Sequence, residues 1–237
     1  MYYILLRNTN TGVNLRKILD KQQLHWGDKL ASIPDMFGKG HSESARKAKE
    51  VFKKAGVKKI LELGGGQGRD TIFFAQNGFQ VYVLDYSEAG IKIITEKVRA
   101  MGLSKLVIAK CHDVRAPLPF EDASFDGCYS HLVYCMALTT SELECLSDEA
   151  RRILKLGGIN IYTARNTEDP LYKQGIHRGE DMYEMDGFIV HYFSAEKIWH
   201  LSKGFEIISI DRCEESRLPR RLFRVVLKKT REPLAFS

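Results

Sequence analysis

The chain has 237 residues, of which 44% are hydrophobic and 28% charged, with a formal net charge of +6. That length holds one large α/β domain, or a core domain with a small appendage, and the composition excludes a disordered or low-complexity chain. No apolar run approaches the ~18 residues of a bilayer span.

In chain order, the apolar run Tyr2 to Leu6 is too short for a secretory signal core, so a cytoplasmic location is expected. Residues 1–40 lack strong periodicity and contain Gly12, Gly27, Pro34, Gly38 and Gly40. Short helices and turns are expected there, an arm or lid whose Trp26, Met36 and Phe37 dock onto the main domain. Ser42 is placed to cap a helix with Ala45, Ala48, Val51, Phe52 and Ala55 on one stripe, ending at Gly56. Val57 to Leu63 reads as a buried strand, Arg69 to Asn77 as a helix stopped by Gly78, and Phe79 to Leu84 as a second strand. Ser87 caps a helix running to about Met101, and Leu106 to Cys111 is a third strand. Phe125 to Ser130 is a fourth. Thr139 and Glu142 form a T-x-x-E capping box for a helix to Leu156, which Gly157-Gly158 would end in a left-handed C-cap. Ile159 to Ala164 is a fifth strand.

Residues 165–193 are polar and aromatic. A connection this long either has a function or carries small elements of its own, and a substrate cover is expected. Ser194 caps a last helix, and Phe205 to Asp211 and Leu222 to Lys229 are strands joined by a charged connector. Residues 231–237 are expected to be a loose tail. Alternating strands and helices closed by a strand pair predict a doubly wound, three-layer Rossmann-like sandwich. Its sheet would be mostly parallel with an antiparallel C-terminal strand.

Chemistry concentrates in Lys59 to Asp85. A strand runs into Glu62-Leu63-Gly64-Gly65-Gly66-Gln67-Gly68, a helix follows, and the next strand ends on Asp85, about 20 residues beyond the first glycine. A dinucleotide fingerprint needs a small residue at the position held by Arg69, and no Gly-Lys-Ser/Thr of a P-loop follows. Alternating Gly64, Gly66 and Gly68 let the backbone bend sharply beneath a ligand without Cβ collisions. The five cysteines (Cys111, Cys128, Cys135, Cys145, Cys213) have no C-x-x-C spacing. Reduced, mostly buried thiols and no metal site are expected. Basic runs Arg46 to Lys59 and Arg217 to Lys229 read as solvated surface, with RNA as the rival reading.

This chain resembles the class I S-adenosylmethionine-dependent methyltransferases over about Lys49 to Lys229. The resemblance is carried by the glycine motif, by Asp85, by His112-Asp113-Val114 with Leu118-Pro119-Phe120, by Ser124-Phe125-Asp126, and by Arg152-Ile153-Leu154-Lys155-Leu156-Gly157-Gly158. Leu156 stands where the family usually has proline. Gly-Gln-Gly-Arg-Asp and His191-Tyr192-Phe193-Ser194 look like its tellurite-resistance-like and ubiquinone-biosynthesis-like small-molecule branches. The resemblance implies S-adenosylmethionine as cofactor and S-adenosylhomocysteine as product.

It also implies roles. Asp85 would accept hydrogen bonds from the ribose diol, and Asp113 one from the adenine amino group. Val114 N–H would meet a ring nitrogen while Tyr86 lies along the adenine. The Ser130 carbonyl and Glu62 would serve the methionine ammonium, and Arg69 the methionine carboxylate or the substrate pocket. Transfer from a sulfonium needs alignment and water exclusion, and a general base for some acceptors. Catalytic candidates are His131, Tyr134 and His191. A small-molecule acceptor is expected, in a monomer or homodimer, with neither nucleic acid nor membrane as partner. RNA or protein methylation and non-catalytic sensing of the cofactor are the alternatives.

Overall fold

The computed structural model describes residues 10–215 and 220–231, with side chains from residue 15 onward. The run Tyr2–Leu6, the centre of the connector after β9 and the tail beyond Arg231 lie outside the described residues. Helix α1 (Asn10–Ser32) and α2 (Glu43–Lys54) precede the alternation β1 (Lys59–Leu63), α3 (Arg69–Gln76), β2 (Gln80–Asp85), α4 (Glu88–Ala100) and β3 (Val107–Cys111). Then come β4 (Phe125–His131), α5 (Thr140–Ile153) and β5 (Leu154–Arg165). Short strands β6 (Ile176–His177), β7 (Met182–Met185) and β8 (Phe188–His191) precede α6 (Ala195–Leu201), β9 (Phe205–Glu215) and β10 (Arg220–Lys229).

The main sheet has the order β3-β2-β1-β4-β5-β10-β9. Its first five strands pair in parallel and β10 runs antiparallel between β5 and β9. This is the expected three-layer α/β architecture. Strand side chains alternate between two cores. Ile60, Val81, Tyr129 and Ile161 pack with α2, α3 and α4 through Phe52, Phe74 and Ile94. Leu61, Phe125, Tyr162 and Val225 pack on the other face with α5 and α6 through Leu143, Leu146, Ile153 and Ile198. Ser42, Ser87, Thr139 and Ser194 cap their helices as the sequence indicates, and Thr139–Glu142 closes the full capping box.

Four expectations need correction. Residues 10–32 form one 23-residue helix that runs through Gly12 and Gly27, where the sequence suggests short helices and turns. Its local propensity is weak, and packing overrides it. Leu19 joins Ala137, Met182 and Ile189 in a small core of its own, with Leu15 and Ile18 against it. Second, α5 stops at Ile153, and Gly157-Gly158 lie inside β5 as a bulge. Leu154 is already extended and pairs with Phe125, while the next β4 partner, Gly127, pairs with Ile159. Strand pairing thus wins over the last helical turn. Third, the terminal hairpin is longer than expected, so the charged connector is largely ladder, with Arg220 opposite Glu215. Fourth, Cys111 and Cys145 are exposed, and all five cysteines are free.

Candidate active site at the carboxyl edge of the sheet

Parallel strands end at the same edge, and the loops leaving β1, β2, β3 and β4 there surround a cavity of about 460 Å³. Its remaining walls are α1 with the segment after it, and the sheet of β6, β7 and β8 within residues 165–193.

The glycine loop forms the floor. Gly64 has φ +73, and a Cβ there would come within 2.1 Å of Val133 Cγ2. At Gly66, φ +56, a Cβ would meet nothing within 4 Å, so a side chain would project into open space. Asp85 is tied to this loop. Gly66 N–H donates to Oδ2 at 2.8 Å and Ser87 N–H donates to Oδ1 at 2.8 Å. Burial pushes its carboxyl up to about 6, against the pull of those two amides. Glu62 is more deeply placed, accepting a 2.6 Å bond from Thr71 Oγ1. Burial, with the neighbouring Asp70 charge adding to it, drives Glu62 up to about 8. It therefore holds its proton at neutral pH.

Tyr86, Asp113 and Val114 line the same side, and burial raises the Tyr86 phenol. Burial also pushes the Asp113 carboxyl up, but Arg115 outweighs it and holds the group below its ordinary value. Arg115 reaches both Asp113 oxygens, at 2.6 to 3.0 Å, and Asp20 of α1 at 2.6 Å. Trp26 and Phe37, 6.2 Å apart, face the cavity from the arm.

Of the residues singled out from sequence, Glu62, Gly64, Gly66, Arg69, Asp85, Tyr86, Asp113, Val114 and His131 line this cavity. Four do not. Gly68 begins α3, where a Cβ would stand 2.9 Å from Ile94 Cγ1, so its glycine serves helix packing. Ser130 is fully buried between Leu63 and Tyr162, one residue short of the cavity wall. Tyr134 lies in the core, stacked on Tyr162 with ring centroids 4.1 Å apart. His191 is fully buried beside α6, with Nδ1 2.7 Å from the Leu138 carbonyl and Nε2 against Lys197. Stacking on Tyr162 and packing beside α6 turn the Tyr134 and His191 side chains away from the cavity, whereas the role expected of Ser130 belongs to its backbone carbonyl at the end of β4.

His131 has both ring nitrogens engaged. Nδ1 lies 2.8 Å from Thr163 Oγ1 and Nε2 lies 3.3 Å from Glu215 Oε1. Arg69 donates to that same Glu215 oxygen at 3.1 Å and to the Phe37 carbonyl at 2.5 Å. Burial raises the Glu215 carboxyl, but His131 and Arg69 together bring it down to about 2.

Several site residues were missed from sequence. Gln67 is buried, and its amide donates to the Leu30 and Ile33 carbonyls while accepting from Met36 N–H, which fastens the arm to the glycine loop. Gln22 does the same for the insert, donating to the Gly187 carbonyl and accepting from Ile189 N–H. A single motif letter, Gln67, was the available signal for the first. Nothing local marks Gln22, Glu215, Arg165 or Arg220.

Residues 60–158 match the family model described as a methyltransferase domain. A 24-methylenesterol C-methyltransferase 2 from Oryza sativa subsp. japonica is 27% identical over 177 residues, which cover 69% of this chain and 48% of that protein. The chain spans about half the length of the sterol methyltransferases it matches. Among solved structures, the CcbJ methyltransferase from Streptomyces caelestis superposes with a TM-score of 0.70 at 18% identity, covering 87% of this chain and 98% of that one. The 1,6-didemethyltoxoflavin-N1-methyltransferase of Burkholderia thailandensis, solved with 1,6-didemethyltoxoflavin and S-adenosylhomocysteine, gives 0.66 at 15% identity over 98% of this chain and 94% of that one.

Proposed function

From a chain that carries a class I S-adenosylmethionine-dependent methyltransferase domain, we propose an enzyme that methylates a small-molecule acceptor using S-adenosylmethionine. One observation carries this reading. A buried carboxylate, Asp85, is held by two backbone amides beside a glycine, Gly66, whose missing side chain leaves open space. That pairing suits a ligand with a diol and a flat ring laid against bare backbone.

Asp85 accepts the ribose hydroxyls in this reading, since each of its oxygens keeps a lone pair beyond its amide bond. Gly66 admits the close approach, and Gly64 lets the loop pack against Val133. Tyr86, Val114, Trp26 and Phe37 enclose the adenine and exclude water. Bound S-adenosylmethionine supplies an activated methyl on a good leaving group. The chain's own contribution is alignment and dryness. Neither Tyr134 nor His191 reaches the cavity, and His131 has no uncommitted nitrogen, so none of the three is assigned proton abstraction. His131 positions the wall through Thr163 and Glu215. The acceptor lies beneath the insert in this reading, among Val190, Tyr183, Tyr192 and Phe188, and the cavity volume suits a metabolite.

Calorimetry with S-adenosylhomocysteine tests the cofactor assignment, and binding is expected near neutral pH. No heat of binding at millimolar ligand would sink the whole reading. Incubation with labelled S-adenosylmethionine and a metabolite extract then separates an enzyme from a sensor: label should pass to a small acceptor. Binding without any transfer would favour the sensor.

A further inference from the structure

The end of the cavity over β5 and β10 carries three arginines whose charges are committed to different degrees. Arg165 closes β5. Its Nε donates to Asp169 Oδ2 at 3.0 Å and its Nη2 to Oδ1 at 2.5 Å, and its guanidinium lies 5.3 Å from the centre of the Tyr192 ring. Asp169 is itself buried, so that pair is closed. Arg69 donates from Nη1 to the Phe37 carbonyl and from Nη2 to Glu215 Oε1. Arg220, the first residue of β10, also lines the cavity. Its nearest carboxylate is Glu215, whose Oε1 serves Arg69 and His131 and whose Oε2, with no hydrogen-bond partner, lies 3.6 Å from Arg220 Nη1, an ion pair longer than a hydrogen bond. Among the described residues no hydrogen bond closes on the Arg220 guanidinium. A guanidinium has five N–H donors in a fork that fits a carboxylate or a phosphate.

The cavity that Arg220 lines also has apolar walls, to which Leu171, Met185, Val190 and Met136 contribute, together with Tyr192 and Cys135. Burial pushes the Cys135 thiol up to about 11, against the opposing charges of Arg165 and Arg220. Burial raises the Tyr192 phenol to about 12, and the same two arginines oppose that shift. Strand pairing puts Arg220, at the start of β10, near Arg165, at the end of β5, and β1 and β4 separate both from β2 and its Asp85.

We propose that Arg220 is a specificity-determining residue and that the methyl acceptor is an apolar molecule bearing an anionic group, a carboxylate or a phosphate, which docks on Arg220. This rests on the methyl-transfer reading above. The apolar wall takes the body of the acceptor, and the unused N–H fork takes the anion. Arg165, already closed on Asp169, keeps Tyr192 and the cavity wall in place beside it.

Protein saturated with S-adenosylhomocysteine is titrated calorimetrically with 4-phenylbutyrate, 4-phenylbutanamide and 4-phenylbutylamine, which share a phenylalkyl body and carry an anionic, a neutral and a cationic head group. The acid is expected to bind at least about tenfold tighter than the amide, the scale of one charge-assisted contact, and the amine weakest. Arg220→Met should erase the acid's advantage without changing affinity for S-adenosylhomocysteine, while Arg220→Lys retains part of it. Benzylphosphonate and phenylacetate, compared in the same way, tell a phosphate subsite from a carboxylate one, and preference for either supports the proposal. Equal affinity for acid and amide, no binding of either acid at millimolar concentration, or an unchanged preference in Arg220→Met would overturn it. In each of those cases normal binding of S-adenosylhomocysteine leaves the methyl-transfer reading standing, whereas its loss from the unmodified protein would bring down that reading itself.

Discussion

Asp85 is the residue on which most of the site turns, because two opposing demands meet there. Burial favours the protonated carboxyl, and a diol-binding role requires the ionised one. The group sits at about 6, above its ordinary value of 3.8. The folded protein therefore holds that proton more tightly than the unfolded chain does. Its contribution to stability is greatest below about 3.8 and declines as pH rises toward 6. Ligand binding should run the other way. Affinity for S-adenosylhomocysteine is expected to be flat from pH 8 to 7 and to weaken as pH falls from 6.5 to 5, approaching tenfold per unit once one proton must be released. Asp85→Asn should bind more weakly at pH 7.5 and show no such dependence. Calorimetry across this range decides it, and an equally steep acid limb in the Asn variant would refute the assignment. Glu62, at about 8, is protonated across the acid limb from pH 6.5 to 5 and adds no slope there.

At the scale of elements, α1 is held by what it touches. Its end is fixed by one side chain of the glycine loop, Gln67, whose two amide hydrogens meet the Leu30 and Ile33 carbonyls at 2.8 Å each. Lys97 of α4 adds a 2.9 Å pair with Asp35 and a 3.2 Å bond to the Gln67 carbonyl. Gln67→Ala leaves buried carbonyls and the Met36 N–H without partners, each worth about 1–3 kcal/mol when orphaned. Hydrogen exchange across residues 15–40 should accelerate in that variant, while β1, β2 and β4 keep their protection. Acceleration spread evenly over the sheet would mean that Gln67 supports the core and does not act as a fastening for the arm. The same contacts explain why a stretch with two internal glycines is helical at all: α1 is ordered from outside by the loop and the insert, and weak propensity is overridden.

At the scale of the molecule, one cavity is built from three parts that are distant in sequence: the arm, the sheet edge and the insert. Ligand should therefore tie their stabilities together. At S-adenosylhomocysteine a hundredfold above its dissociation constant, stabilisation of about 2.7 kcal/mol is expected. In a Trp199→Phe variant, fluorescence reports Trp26 of the arm alone, since the chain has two tryptophans. Urea unfolding followed by Trp26 should precede the far-ultraviolet circular dichroism transition without ligand and coincide with it when ligand is saturating. Coincident transitions in both conditions would show the arm to be part of the core unit. The sequence by itself determined the layered α/β plan, the helix caps, the glycine loop and Asp85, because periodicity, capping and turn chemistry are local and are written in consecutive residues. It could not determine which side chains face the cavity once strands pair. Tyr134 and His191 read as site residues by position, and the stack on Tyr162 and the packing of α6 turn them into the core. Glu215 and Arg220 read as a charged connector, yet the hairpin carries them to the sheet edge beside Arg69 and His131. Such placements rest on contacts between residues far apart in the chain, and only the folded sheet brings those residues within reach of one another.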